Sequence, residues 1–164
     1  MTIGPRPAHL ALALDNDVLT DWRGGKPATL QAITAYTITA YTITAKVPPA
    51  LTSITVFEMM QGFEKASVLA GGMTERTRQD MERARVLTRE CVVLDFNEQA
   101  AEIAAYVFPR LTQAERNKHW ADVFITATAM AHEYGVATRN RGDFELIAGH
   151  TPPHYPALRL QFWK

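Results

Sequence analysis

The chain has 164 residues, 47% of them hydrophobic, and sets 17 Lys and Arg against 17 Asp and Glu for a net charge of zero. That length and apolar content fit one globular domain over 1–164 that buries a core unaided, and the charge balance excludes a global field drawing it onto nucleic acid or membrane. The single Cys91 excludes an internal disulfide framework and a multi-Cys metal site, while local basic groups remain free to hold RNA.

No basic and apolar leader opens the chain, and no apolar run approaches the roughly 18 residues that span a bilayer, so a cytoplasmic protein without a membrane partner is expected. Residues 1–8, with two prolines and a glycine, make a lead-in. His9 to Leu14 then reads as a short buried strand that meets an abrupt Asp15-Asn16-Asp17. Asp17 is expected to N-cap a helix over Val18 to Trp22 that Gly24-Gly25 ends. Pro27 suits the first turn of a second helix. The five-residue unit Tyr-Thr-Ile-Thr-Ala occurs twice between Ala35 and Ala45; the preceding helix favours helix there, despite the β-branched content, and Pro48-Pro49 gives a stop.

Leu51 to Ile54 reads as a strand leading into a helix over Val56 to Leu69, where Thr55 and Glu58 have capping-box spacing. Thr74 opens an arginine-studded helix, and Cys91 to Leu94 is the next buried strand. Asn97 starts a helix whose Ala100, Ala104, Val107, Phe108 and Leu111 form one stripe. A polar loop from Thr112 to His119 precedes a long helix over Trp120 to Tyr134. Val136 to Thr138 is a short strand, and Leu158 to Phe162 an edge strand. The alternation predicts an α/β fold with a mostly parallel sheet.

Four acids occupy strand ends or the helix starts beside them: Asp15, Glu58, Asp122 and Asp143. Those positions gather on one edge of a parallel sheet, the edge where ligands bind in open α/β folds. Four carboxylates crowded together repel and raise one another's pKa values, and a hard divalent cation with oxygen ligands resolves the conflict. Such a site activates water and clamps the oxygens of an in-line phosphoryl displacement. Each acid also has a plain structural alternative. Glu58 completes a capping box, Asp122 complements a helix dipole, and Asp143 caps the turn at Phe144. Asp15 has none, because a strand-end acid has no propensity reason to be there.

The stretches LALDNDVLTDW, TSITVFEMMQGF and WADVFITATAMAHEYGVATRNRGDF, in that order, resemble the PIN domain, the PilT N-terminal type of ribonuclease domain, and within it the VapC-type toxins of bacterial toxin–antitoxin pairs. The resemblance runs from Leu10 to Phe144 and implies a PIN-like three-layer α/β/α fold. It implies that Asp15, Glu58, Asp122 and Asp143 hold Mg²⁺ or Mn²⁺, with Glu58 reaching the ion directly or through water. It further implies a Mg²⁺-dependent endoribonuclease that hydrolyses RNA by metal-activated water, leaving 5′-phosphate and 3′-hydroxyl ends. A cognate antitoxin, an RNA substrate and a homodimer follow as expected partners, with some of Trp22, Phe57, Met59, Met60 and Phe63 available for a dimer face or antitoxin groove.

The position after the first Asp is usually Thr or Ser in that family, whereas here it is Asn16, whose amide still hydrogen-bonds a carboxylate or water. Asn16 and Asn140 are expected to orient ligands or phosphate, and Asp17 to fix the turn. Arg139 and Arg141 flank Asn140 and either hold RNA phosphates or stand solvated in a loop. The arginines between Arg76 and Arg89 alternate with acids and read as a solvated, salt-bridged face. His119 and His132 are expected on the surface or a helix face, and no H-E-x-x-H pattern points to zinc.

Two rival readings remain. The start of the chain also resembles the first motif of haloacid dehalogenase-type phosphatases, with Asp15 as nucleophile and Asp17 as acid/base. That family needs a downstream Lys, and after Thr138 only Lys164 occurs. The other rival is a PIN-like protein that binds RNA or a partner without catalysis, against which four concentrated acids argue.

Overall fold

The computed structural model describes residues 11–44 and 49–163, in which strands and helices alternate. The strands are β1 (Leu12–Leu14), β2 (Ala50–Thr52), β3 (Val92–Leu94), β4 (Gly135–Thr138) and β5 (Leu160–Phe162). They form one sheet in the order β3-β2-β1-β4-β5, and every pairing is parallel. The helices are α1 (Asn16–Arg23), α2 (Pro27–Thr44), α3 (Ser53–Leu69), α4 (Glu75–Arg89), α5 (Glu98–Val107), α6 (Gln113–Ala131) and α7 (Arg141–Ala148), with one 3₁₀ turn at Phe108–Arg110.

Successive strand residues point to opposite faces, and the core divides accordingly. Leu12, Leu14, Leu51 and Ala137 pack on one face with Val18 and Leu19 of α1, Met59 of α3 and Ala84 of α4. Ala13, Ala50 and Val136 pack on the other with Ile125 and Ala129 of α6 and Phe144 of α7. The result is the three-layer α/β/α arrangement expected, with a sheet parallel throughout. Strand order reverses direction between β1 and β4, so the carboxyl ends of these two strands flank the switch point where open α/β sheets bind ligands. Asp15 follows β1 and Thr138 ends β4 at this point.

Several boundaries differ from expectation, each for a local reason. Asp15, not Asp17, caps α1, its side chain accepting from the Asn16 backbone N–H. Thr52, not Thr55, caps α3, so strand β2 stops before Ser53 and the helix begins at once. Position β3 is an edge strand whose Val92 and Val93 are exposed, not a buried one. Residues 113–118, expected in a loop, are helical, because Thr112 and Glu115 form a reciprocal capping box. The expected break survives as a kink, since His119 has non-helical angles (φ −114°, ψ 17°) inside α6. That helix ends at Ala131, short of Tyr134. The duplicated segment is helical through Thr44, as part of α2 from Pro27. The lead-in 1–8, His9, Leu10, Ala45 and Pro48 lie outside the described residues.

Candidate functional site

Strand β1 delivers Asp15 to the carboxyl edge of the sheet, where it is 6% exposed. Its Oδ1 accepts from the Asn16 backbone N–H at 2.7 Å and its Oδ2 from the Thr138 hydroxyl at 2.8 Å. The same hydroxyl accepts from the Asn140 backbone N–H at 3.0 Å, so one buried threonine ties the end of β1 to the turn after β4. Burial pushes the Asp15 carboxyl up to about 7, helped by the negative charge of Asp17 and opposed by these hydrogen bonds.

Asp122 lies one turn beyond the kink in α6. Burial raises it to about 6, opposed by the His119 ring beside it and reinforced by the charges of Asp143 and Asp17. Glu58 is raised as well, by burial and then by Asp122. It sits in the second turn of α3, whose cap is Thr52, so its carboxylate is not engaged in the capping box that its spacing suggested. Asp143 lies in the first turn of α7, which Asn140 caps. Its carboxylate accepts from the Asn140 side-chain amide, and Lys118 stands 3.7 Å from its Oδ1.

Donor atoms of His119, Asp122 and Asp143 all lie within 4.8 Å of one another. Asp15 and Glu58 are outside that tight group and reach it through the charge of Asp122. The charge of Asp122 thus acts on Asp15 and Glu58, and that of Asp143 on Asp122. The donor set fits a divalent cation: two carboxylates and an imidazole nitrogen face one space, Asp122 is raised by burial, and the buried Nδ1 of His119 has no hydrogen-bond partner.

The supporting residues separate. Asn16 has a buried Oδ1 without a hydrogen-bond partner. Asp17 accepts from the Arg139 backbone N–H at 3.0 Å and so fixes the turn after β4. The Arg139 guanidinium is held 3.0 Å from Asp21, which also pairs with Lys26, while Arg141 pairs with Glu145 and lies over the Phe162 ring. His132 contacts the Asp95 carbonyl from a helix C-cap. His119 departs from expectation, being 4% exposed instead of a surface residue. Its only sequence signal is its place three residues before Asp122.

No protein-family model matches the sequence, and no curated protein does. Solved structures do. The chain is similar to one from the DNA-bound VapBC complex of Salmonella typhimurium (TM-score 0.63, 18% identity, 94% of this chain and 98% of that one). It is similar to one from VapBC2 of Rickettsia felis bound to a promoter DNA fragment (0.62, 16%, 94% and 99%). A third, from FitAcB of Neisseria gonorrhoeae, aligns at 0.55 with 22% identity over 83% and 92% of the two chains. The chain shares the PIN-like α/β/α fold of these structures. Within the PIN fold the acids occupy the carboxyl edge of the sheet at its switch point, and no described helix is long and apolar enough to cross a membrane.

Proposed function

We propose that this protein is a metal-dependent endoribonuclease and the toxin of a type II toxin–antitoxin pair. The observation that carries the reading is the grouping around Asp122 of Asp15, Glu58 and Asp143 from four separate elements, with burial, and then neighbouring negative charge, raising Asp15 and Asp122 toward neutrality. A fold that only needed to be stable would not concentrate like charge this way. Similarity to chains of toxin–antitoxin complexes supports an antitoxin partner, and self-association into a homodimer belongs to the same reading.

Asp15, Asp122 and Asp143 would hold Mg²⁺ or Mn²⁺ directly, with Glu58 direct or through water. The ion supplies Lewis acidity, lowering the pKa of a water and neutralising charge that builds on the phosphate. Thr138 and the Asn16 N–H hold the Asp15 carboxylate in one orientation, and Asn140 does so for Asp143. Lys118, at the rim, is placed to offset phosphate charge. Phe57 and Trp120, exposed and edge-to-face at 6.1 Å, adjoin Glu58 and His119 in sequence and offer a stacking surface for an unpaired base.

The test is incubation of total RNA and a tRNA panel with purified protein in Mg²⁺, Mn²⁺ or EDTA, with Asp15→Asn alongside. Metal-dependent fragments that Asp15→Asn abolishes are expected. Inert wild type, or products that EDTA leaves unchanged, would overturn the reading, and phosphate release from small phosphomonoesters would favour the phosphatase rival.

A further inference from the structure

The Nδ1 of His119 is buried, lacks a hydrogen-bond partner and lies 3.5 Å from Oδ2 of both Asp122 and Asp143. The ring nitrogen and the two carboxylate oxygens face one shared space, and 3.5 Å is longer than the roughly 2.7–3.2 Å of an N–H···O hydrogen bond to either oxygen. The separation is equal to both partners. It exceeds by about half an ångström the roughly 3.0 Å between adjacent ligands of an octahedron with bonds of about 2.1 Å, so a bound ion would draw the three groups slightly together.

From this geometry we infer that His119 is a direct ligand of the site's divalent cation, making the donor set mixed nitrogen and oxygen instead of all oxygen. The inference rests on the metal-site reading above and deepens it. Imidazole is a poor ligand for Mg²⁺ and a good one for later divalent ions, so the site selects Mn²⁺ over Mg²⁺.

The decisive measurement is pulsed EPR of the full-length protein loaded with Mn²⁺, which detects a directly bound ¹⁴N through its modulation of the electron spin echo. Wild type is expected to show that coupling and His119→Gln to lose it while still binding Mn²⁺. By titration, His119→Gln is expected to weaken Mn²⁺ about tenfold or more, the scale of a lost metal-site contact, and Mg²⁺ by about threefold at most. Bound Mn²⁺ without nitrogen coupling overturns the assignment and leaves the metal site standing. Coupling that persists in His119→Gln overturns it too, because another nitrogen is then the ligand. Wild type that binds no Mn²⁺ overturns both this inference and the metal reading beneath it. Should His119→Gln fail to fold, wild type grown with ¹⁵N-histidine decides the matter: the ¹⁴N signal must give way to a ¹⁵N one.

Discussion

The Thr138 hydroxyl donates a 2.8 Å hydrogen bond to Oδ2 of Asp15 across 123 positions of sequence, joining the carboxyl ends of two central strands. Thr138 is fully buried. Thr138→Val keeps the shape and removes the hydroxyl, so Oδ2 of Asp15 loses its donor and the Asn140 N–H its acceptor, while Oδ1 of Asp15 keeps the Asn16 N–H. A loss of about 1–3 kcal/mol is expected by urea denaturation at pH 8, where Asp15 is ionised. Thr138→Ser should lose less. Equal stability of wild type and Thr138→Val would show that the bond is not part of what holds the strand ends together.

Metal-free protein should become less stable as pH rises. Asp15 is raised to about 7 and Asp122 to about 6, both from an ordinary 3.8. Between those limits the folded state keeps protons that the unfolded chain has released, so stability falls with pH. The contribution is fully present below about pH 4 and lost as pH climbs through about 7. For Asp15 alone, a shift near three units corresponds to roughly 4 kcal/mol at about 1.36 kcal/mol per unit. Thermal melts in EDTA from pH 5 to 8 check the trend, which Asp15→Asn should flatten. A melting temperature that rises over that range would refute it.

Why some features were legible and others not follows from what each depends on. Asp15 stood out because its strand end is set by a local apolar run. Glu58 was ambiguous because Thr52 and Thr55 are both competent caps, and only the packing of β2 chooses Thr52; its side chain bonds to the Thr55 N–H at 3.1 Å. The helical start of α6 was in fact written in the Thr112 and Glu115 pair, which the many polar residues around it obscured. Exposure of β3 depends on strand order, which no local pattern encodes. The same is true of His119, whose burial requires α6 to lie across the sheet edge with Asp143 of α7 opposite.

Cys91 should be slow to react despite being partly exposed. Burial, and then the Glu90 charge, push its thiol up to about 11. At pH 8 that leaves about 0.1% thiolate, against about a quarter for a free cysteine near 8.5, so alkylation should slow on the order of a hundredfold. Iodoacetamide labelling against free cysteine measures it. A rate near that of the free amino acid would mean that the thiol is open to water.

Gly135 begins β4 between β1 and β5, and its role is close approach. A Cβ there would lie 2.8 Å from the Arg159 carbonyl oxygen and 3.0 Å from Leu12 Cδ2. That oxygen cannot retreat freely, because it accepts from the Val136 N–H at 2.9 Å, while the Gly135 N–H bonds the Ala11 carbonyl at 2.8 Å. Gly135→Ala must therefore part the strands at the amino end of β4, at about 1–3 kcal/mol for overpacking. Gly142 in α7 meets nothing within 4 Å, so Gly142→Ala should be neutral or stabilising by up to about 1 kcal/mol through helix propensity. Denaturation of the two variants side by side separates steric crowding from the general effect of replacing glycine. If both behave alike, the strand spacing is not what Gly135 protects.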